Sequence, residues 1–260
     1  MKALAHVVRS LKTWCGCCFF LSGGYFLMNR IKRYFSISDV VLWVLSVSAI
    51  AASYFLSGGT SLLILAASLV GATSLILNAK GNPVGQVLMI VFSLMYGVIS
   101  YTFSYYGEMI TYLGMTMPMA VVALISWFRN PFMGRRSEVT VNTLGVGEIV
   151  FMCVLTLLVT TVFYFILSSL GTANIVPSTL SVTTSFLAVY LTFRRSASYA
   201  LAYAANDIVL VLLWTLASIC DKKYISVVVC FAIFLINDIY GFISWRSMKQ
   251  RQRMALREVR

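Results

Sequence analysis

The chain has 260 residues, of which 60% are hydrophobic and only 11% are charged, and its formal net charge is +12. A soluble domain averages about 45–50% apolar and about 25% charged residues, so this composition excludes an ordinary soluble domain and indicates an integral membrane protein. The basic residues lie mainly between apolar runs and near the two ends of the chain. Such placement marks the cytoplasmic side of a membrane, so the charge predicts topology and not nucleic-acid binding.

The first apolar run in chain order covers residues 14–28 and follows a segment with three basic residues, Lys2, Arg9 and Lys12. No cleavage pattern of a signal peptide follows it, and the basic sequence NRIKR comes next. We interpret this run as an interfacial or amphipathic segment that precedes the first span. A ninth span is the alternative interpretation.

Eight further stretches are long and apolar enough to cross a hydrocarbon core of about 30 Å, which takes about 20 residues of helix. Short connections with Gly, Pro, Asn and charged residues separate them. The pattern predicts an all-α integral membrane protein with eight transmembrane helices. The stretches are Val40–Leu56, Ser61–Leu77, Val84–Phe103, Met109–Phe128, Glu148–Leu170, Ile175–Phe193, Ala197–Ile219 and Ile225–Trp245.

The charges between the spans predict that both termini lie in the cytoplasm. With eight spans and that orientation, the loops on the opposite side hold only Lys222 and Lys223. The remaining loop and tail cations all fall on the cytoplasmic side, as expected for a protein of the plasma membrane. They are Arg30, Lys32, Arg33, Lys80, Arg129, Arg135, Arg136, Arg194, Arg195, Arg246, Lys249, Arg251, Arg253, Arg257 and Arg260.

The tripeptide Ile-Ser-Trp occurs twice, at Ile125–Trp127 and at Ile243–Trp245, and each copy ends a span and precedes basic residues. A chance match is the alternative, but the spacing fits a duplication into two parallel three-helix bundles joined by one helix, a 1+3+1+3 order. Parallel repeats of this kind place the solute near the midplane. The predicted segments are 1–37 (interfacial), 38–57 (lead helix), 58–130 (first bundle), 131–172 (linker and connecting helix), 173–246 (second bundle) and 247–260 (basic tail).

Polar side chains on one face of the last two spans predict a solute site. Tyr199, Tyr203 and Asn206 stand at i, i+4 and i+7, while Asn237 and Tyr240 stand at i and i+3. A ring stacks on a flat heterocycle, and an amide hydrogen-bonds its edge or a ribose hydroxyl. No Lys or Arg lies mid-span, so the site suits a neutral or weakly cationic solute and not a phosphate. We predict as substrate-binding residues Gln86, Tyr199, Tyr203, Asn206, Asn237 and Tyr240, with secondary contacts from Asn82, Tyr112, Asp207 and Asp238.

Several of these polar residues also have a purely structural interpretation. Hydrogen bonding between helices is the alternative for Asn206 and Asn237. Trp127 and Trp245 close their spans beside basic residues, so we expect them to anchor at the membrane interface. Glu108 begins a span, where we expect it to face water or to support the helix N-terminus.

Three other classes of function remain as alternatives to a protein that lets a solute cross the membrane by facilitated diffusion. A membrane enzyme would use Asp207 and Asp238 as paired acids, but the single His, His6, lies in the N-terminal tail, and the six Cys show no C-x-x-C spacing. We therefore expect no catalysis, no metal and no cofactor. A receptor would bind a solute without moving it, and a proton-coupled carrier would use Asp207 or Asp238.

One long stretch resembles a known family of membrane proteins. It reads GNPVGQVLMIVFSLMYGVISYTFSYYGEMITYLGMTMPMAVVALISW, from Gly81 to Trp127, and the last span ends in YGFISWR. The Gly-Asn helix start, the Tyr-Gly-Glu-Met turn, the Pro-Met pair and the closing Trp are similar to PnuC-type vitamin transporters, and the likeness covers most of residues 60–248. The resemblance implies a SWEET-like duplicated fold, often a homotrimer, that takes up nicotinamide riboside by facilitated diffusion with alternating access.

The resemblance also implies a substrate motif in the penultimate helix. The family's Trp-x-x-Trp-x-x-x-Asn pattern is matched here by Tyr199, Ala202 and Asn206. The Asn is kept, the first Trp is replaced by another aromatic residue, Tyr199, and the second is replaced by Ala202. Tyr203 stands beside the lost aromatic. Relatives of the same fold carry thiamine, riboflavin or deoxynucleosides, which are the alternative substrates.

Further matches concern the other helices and the fate of the solute. Gln86 matches a polar position that faces the site in the family, and Asn237 with Tyr240 matches the amide and the tyrosine of the last helix. In that family a cytoplasmic kinase phosphorylates the substrate and so makes uptake one-way. The resemblance therefore implies a functional dependence on such a kinase.

Overall fold

A computed structural model of the chain describes residues 34–56, 61–102, 105–172, 174–220 and 224–258. From Leu45 onward the described residues belong to one compact unit. The apolar run 14–28, nearly all of the predicted segment 1–37, and Lys222 and Lys223 lie outside the described residues, so what was expected of them stays a prediction.

Eight helices within the described ranges are long and apolar enough to cross a membrane, which confirms the predicted all-helical membrane fold. They are α1 (Ile37–Leu56), α2 (Leu62–Ala79), α3 (Pro83–Thr102), α4 (Tyr106–Arg129), α5 (Val146–Ser169), α6 (Ile175–Phe193), α7 (Tyr199–Cys220) and α8 (Ile225–Glu258). Helix α8 continues beyond its predicted end at Trp245. The residues that follow are mostly Lys, Arg, Gln, Met and Leu, which have high helix propensity.

Helix α4 contains a π-helical segment, Thr111–Thr116. Pro118 has no backbone N–H, and its ring crowds the carbonyl of Gly114 four residues earlier, so a regular α-helix is disrupted at this point. The wider i→i+5 turn accommodates that disruption.

A short β-hairpin follows α4 and was not predicted within the linker 131–172. Strand β1 (Pro131–Phe132) pairs antiparallel with β2 (Arg135–Val139). Gln252 of α8 holds the hairpin, because its Nε2 donates to the Val139 carbonyl at 2.9 Å and its Oε1 accepts from the Val141 N–H at 2.9 Å. The extension of α8 beyond the predicted span thus has a packing partner.

Six of the helices form two triplets, α2–α3–α4 and α6–α7–α8. Helix α5 lies between the triplets in sequence. Within each triplet the middle helix packs on both of its neighbours. The last helix of each triplet also packs on the first helix of the other, α4 on α6 and α8 on α2. Only 11% of the apolar window of α5 is buried, so α5 lies outside the two triplets. This exchange of partners is the arrangement that two parallel repeats would produce, and the duplication stays a prediction.

The first copy of the Ile-Ser-Trp motif ties α4 to the C-terminal end of α6. Trp127 Nε1 donates to the backbone carbonyl of Thr192 at 2.9 Å, and Ser126 Oγ donates to that of Phe193 at 3.0 Å. The last carbonyls of a helix have no partner within the helix. The motif therefore supplies a donor to the Phe193 carbonyl and a second donor to the Thr192 carbonyl, which also accepts from the Arg195 N–H at 3.0 Å.

The second copy makes the same two bonds to the C-terminal end of α2. Trp245 Nε1 donates to the Asn78 carbonyl at 2.8 Å, and Ser244 Oγ donates to the Ala79 carbonyl at 2.7 Å. The indole rings of Trp245 and Trp127 lie 5.4 Å apart between centroids. The expectation that both tryptophans anchor at the membrane interface is wrong, since they are 0% and 1% exposed and join the two triplets.

Candidate functional site

A small cavity of about 20 Å³ lies between the two triplets, and all six of their helices contribute to its lining. Leu, Met and Phe side chains form its apolar part. A cavity of this size holds about one water molecule, so the helices must separate before a nucleoside fits. The polar lining residues are Tyr112, Thr116, Ser185, Tyr203, Asn206, Asp207 and Asp238.

Asn206 is fixed in the cavity by hydroxyl groups of α6. Its Oδ1 accepts hydrogen bonds from Thr184 Oγ1 at 2.9 Å, Ser185 Oγ at 3.0 Å and Ser181 Oγ at 3.4 Å. The carbonyl arm of the amide is therefore fully used, which leaves Nδ2 as the group that can donate to a solute. Sequence reasoning missed the contact of these three hydroxyls with Asn206, although their spacing within one turn of α6 was a usable signal.

Asp207 and Asp238 bring two carboxyl groups together from adjacent helices. They lie within hydrogen-bonding distance of each other and are 4% and 3% exposed. Asp207 Oδ2 is buried and accepts no hydrogen bond from the residues that the structure describes. The sequence placed each Asp about 100° around its helix from the neighbouring Asn, and the helix packing turns both of them toward the cavity.

Tyr203 and Tyr199 continue from the cavity toward the Ile-Ser-Trp motifs. Their rings lie 6.1 Å apart, edge to face, and Tyr199 packs on Trp245 with ring centroids 4.8 Å apart. We call Tyr199, Trp245 and Trp127 the paired-tryptophan cluster. It closes the end of the cavity at which α2, α4 and α6 terminate.

A second aromatic group closes the opposite end, and we call it the Trp214 cluster. Trp214 Nε1 donates to the Tyr96 hydroxyl at 2.8 Å, and the indole lies 4.8 Å from the ring of Tyr105 and 5.5 Å from that of Tyr224. Tyr112 connects this cluster to the cavity, because its ring lies 4.4 Å from that of Tyr96. The cavity is thus enclosed by aromatic side chains at both ends.

Gln86 and Asn82 lie at the start of α3 and take part in the contact between α2 and α3. Gln86 Nε2 donates to Asn78 Oδ1 at 2.9 Å, and Asn78 Nδ2 donates to Ser74 Oγ at 3.3 Å. Asn82 Oδ1 accepts from the Val84 N–H at 3.0 Å, as a residue at a helix N-terminus does. The structure places both predicted residues in helix packing and helix capping.

Asn237 and Tyr240 lie on α8, where Asn237 binds α1. Its Nδ2 donates to Ser46 Oγ at 2.9 Å and to the Ile233 carbonyl at 2.8 Å. Its Oδ1 is buried and has no hydrogen-bond partner among the described residues. Tyr240, almost one turn further on, is half-buried. Asn206, which lines the cavity, and Asn237, which binds α1, therefore have different surroundings.

Glu108 is a further buried carboxyl group in the described spans. It is 2% exposed, and it lies close enough to Ser181 for a hydrogen bond. The expectation that Glu108 faces water is wrong. The side chain points into the bundle because the start of α4 packs between neighbouring helices.

Eight apolar helices around a buried polar cavity define this chain as a polytopic membrane protein. A family model of the nicotinamide mononucleotide transporters matches residues 61–247. The chain belongs to this family of membrane transporters and is not an enzyme, which confirms the resemblance found in the sequence.

Two relatives agree with this assignment. The nicotinamide riboside transporter PnuC of Neisseria mucosa is 25% identical over 214 residues, which is 81% of each chain. The crystal structure of the vitamin B3 transporter PnuC matches with a TM-score of 0.74 at 22% identity, over 84% of this chain and 94% of that chain. At this identity the structural match shows the fold alone.

Proposed function

We propose that this chain moves nicotinamide riboside across the plasma membrane by facilitated diffusion. The observation that carries the proposal is the cavity between the triplets, which offers an amide, hydroxyls and carboxyls to a solute. None of the described residues that line it is Lys, Arg or His. A mononucleotide carries a phosphate that would need such a cation, so the lining favours the riboside. The Neisseria mucosa relative is named for the same solute.

The two aromatic clusters support a proposal of alternating access. A solute can enter the cavity only if one cluster opens, and it can leave on the other side only if the other cluster opens. Rocking of one triplet against the other would open each end in turn and would also enlarge the cavity. In the open cavity, Asn206 Nδ2 would donate to the solute, and Tyr203 would stack on its ring.

The remaining predictions complete the physiological proposal. The basic residues at the end of the paired-tryptophan cluster support the proposal that this end and both termini lie in the cytoplasm. A cytoplasmic kinase would trap the riboside after entry, because a phosphate finds no partner in the cavity. We propose a homotrimer, as in the family that the sequence resembles.

Uptake of labelled nicotinamide riboside into proteoliposomes with the purified protein tests the proposal. We expect unlabelled riboside to compete, and the mononucleotide, thiamine, riboflavin and deoxynucleosides to compete at least about tenfold less well, the effect of one lost charged or polar contact. Stronger competition by one of these solutes would make it the substrate and would contradict the proposal.

The variant Asn206→Ala tests the place of binding. It removes the only donor that the Asn206 amide offers the solute, so we expect uptake to fall by about tenfold or more. Asn142→Ala is the matched control, because Asn142 outside the spans is held through its backbone N–H, which donates to the Arg195 carbonyl at 2.9 Å. Equal uptake by the two variants, each monodisperse in detergent, would remove Asn206 from the site.

A further inference from the structure

The π-helical segment of α4 leaves a hydroxyl group in the cavity without a partner. Four threonines within the described ranges are buried. Three of them, Thr111, Thr156 and Thr192, each donate to the carbonyl four residues earlier in their own helix, at 2.9, 2.7 and 2.8 Å. The fourth, Thr116, is 3% exposed, and its Oγ1 has no hydrogen-bond partner among the described residues. A buried hydroxyl group without a partner is unfavourable, so Thr116 indicates a partner that the chain itself does not supply.

The backbone of the π-helical segment explains why Thr116 differs from the other three. In a regular α-helix the Thr116 hydroxyl would donate to the Tyr112 carbonyl, four residues earlier. In the π-helical turn that carbonyl accepts from the N–H of Met117, five residues later. The Thr116 side chain lines the cavity between the triplets. Short π-helical segments occur frequently at functional sites, and this one leaves a hydroxyl group available to a solute.

A carboxyl group from the other triplet lines the same cavity. Asp207 of α7 is 4% exposed and lies within hydrogen-bonding distance of Asp238. A carboxyl group has two oxygen atoms, and the contact with Asp238 uses one of them, so the other can accept from a solute. Since the cavity holds about 20 Å³, the side chains of Thr116 and Asp207 are near neighbours across it.

The donors and acceptors of these side chains match different parts of a solute. Asn206 Nδ2 can only donate, so it fits a carbonyl oxygen such as that of a carboxamide. The free Asp207 oxygen accepts, and the Thr116 hydroxyl can donate or accept, so these two groups fit hydroxyls. Nicotinamide riboside has a carboxamide on its ring and two neighbouring hydroxyls, at C2′ and C3′ of the ribose. The hydrogen-bonding pattern therefore matches the ring to Asn206 and the sugar to Thr116 and Asp207.

We propose that Thr116 and Asp207 form a ribose subsite, in which they bind the two neighbouring hydroxyls of a nucleoside from opposite triplets. This inference rests on the proposed function and names the feature of the solute that the cavity selects, the cis-diol of ribose. One hydroxyl donates to the free Asp207 oxygen, and the other forms a hydrogen bond with Thr116 Oγ1. No proton or ion moves with the solute, so the subsite agrees with facilitated diffusion. Because α4 and α7 belong to different triplets, the bound sugar connects the two.

Competition against labelled nicotinamide riboside, with the intact purified protein in detergent, tests the inference. The unlabelled competitors are nicotinamide riboside, its 2′-deoxy analogue and its 3′-deoxy analogue. We expect each deoxy analogue to bind about tenfold or more weakly than the riboside. The reason is that a site built to pair with a hydroxyl keeps a buried group unpaired when that hydroxyl is missing.

The variant Thr116→Val locates one of the two contacts, because it replaces the hydroxyl by a methyl group of similar size. It should bind the riboside and one of the two deoxy analogues within about threefold of each other, and keep its preference over the other analogue. A purely structural effect of the substitution would weaken all three solutes equally. Thr116→Ser keeps the hydroxyl and should keep both preferences.

Thr156→Val is the matched control. Thr156 is also buried, but it lies on α5, its hydroxyl donates to the Met152 carbonyl at 2.7 Å, and it does not line the cavity. Since the two substitutions remove the same group from two buried positions, they differ only in access to the solute. We expect Thr156→Val to keep both preferences of the parent protein within about twofold.

The outcomes separate the two proposals. Equal binding of the riboside and either deoxy analogue by the parent protein overturns the inference and leaves the proposed function standing. Retention of both preferences by Thr116→Val removes Thr116 from the site and also overturns the inference. Failure of the parent protein to bind nicotinamide riboside overturns both proposals. The first and the last of these outcomes are measured on the parent protein, so they do not depend on the folding of a variant.

Discussion

The two ends of the cavity are closed by aromatic clusters that are held in different ways. In the paired-tryptophan cluster, Trp127 and Trp245 each donate to a backbone carbonyl at the end of a helix in the other triplet. In the Trp214 cluster, the indole donates to the Tyr96 hydroxyl, so that contact joins two side chains. Both arrangements connect the two triplets, but only the first fixes helix ends.

This difference indicates which end opens more easily. A backbone carbonyl moves only with its helix, whereas a tyrosine hydroxyl moves with a change of side-chain rotamer. Opening the paired-tryptophan cluster breaks four hydrogen bonds, two from tryptophans and two from serines. At the Trp214 cluster, the hydrogen bond from the Trp214 indole ends on the Tyr96 hydroxyl, which can rotate away without movement of a helix. We therefore expect the Trp214 end to open at the lower energetic cost.

The largest effect is expected from loss of a tryptophan at the paired-tryptophan cluster. Trp245→Ala removes a fully buried ring from between Trp127 and Tyr199 and takes away the indole donor to the Asn78 carbonyl, which keeps the Gly81 N–H as a donor. Replacing a buried Trp by Ala costs about 3–5 kcal/mol. We expect the free energy of unfolding in mixed micelles to fall by that amount, with a lower thermal midpoint.

Trp43→Ala is the control for this prediction, since Trp43 on α1 is 40% exposed and loses less buried surface. Its destabilisation should be less than half of that caused by Trp245→Ala. Equal destabilisation by the two substitutions would mean that the paired-tryptophan cluster does not hold the triplets together, and the contrast between the two ends would disappear.

The tryptophans also show what the sequence could and could not predict about the fold. The eight spans are predictable because each must be apolar over its whole length to lie in hydrocarbon. A Trp at the end of a span satisfies that rule both at the membrane interface and inside the bundle. The composition of the spans therefore could not decide which of these two locations Trp127 and Trp245 have. Their burial depends on partners more than 60 residues away in sequence.

The side chains that face the cavity were predictable where their spacing along a single helix decides which face they share. Tyr203 and Asn206 were found from their helical spacing, and both line the cavity. The meeting of Asp207 with Asp238 depends on the rotation of α7 and α8 about their axes, which no spacing within one helix specifies. The same packing directs Asn237 to Ser46 on α1. The substrate-binding role of all these residues stays a prediction.

A smaller effect is expected at the Trp214 cluster, where substitutions by Phe remove either partner of the hydrogen bond and keep an aromatic ring. Trp214→Phe and Tyr96→Phe should each cost about 1–2 kcal/mol, because each leaves one buried group unpaired. The double variant should cost less than the sum, with a coupling of about 1 kcal/mol. The measurement is a double-mutant cycle of unfolding in mixed micelles.

The comparison between the ends is sharpened by Trp127→Phe. Here the acceptor is the Thr192 carbonyl, which no side-chain substitution removes. The loss of unfolding free energy caused by Trp127→Phe should therefore stay the same when a second side chain is also substituted. A coupling near zero between Trp214 and Tyr96 would show that their hydrogen bond does not close the Trp214 end, and the predicted ease of opening would lose its basis.

The smallest effect is expected from the two serines of the Ile-Ser-Trp motifs. Ser126→Ala and Ser244→Ala each remove one hydroxyl that donates to the last carbonyl of a helix, at 3.0 and 2.7 Å, from a half-buried position. Hydrogen bonds between membrane helices contribute about 0.6 kcal/mol on average. We expect each variant to lose about this amount of unfolding free energy, and the two losses to agree within about 0.3 kcal/mol, since the two contacts correspond.

Ser218→Ala is the matched control, because the Ser218 hydroxyl donates at 2.7 Å to the Thr215 carbonyl of its own helix and joins no second element. Its effect should be smaller than that of either motif serine. If Ser126→Ala and Ser244→Ala differed by more than about 1 kcal/mol, well above the average for such a bond, the two motifs would not be equivalent joints. The paired-tryptophan end would then resemble the Trp214 end in depending on one dominant contact, and the duplication would lose the support of its most similar pair of contacts.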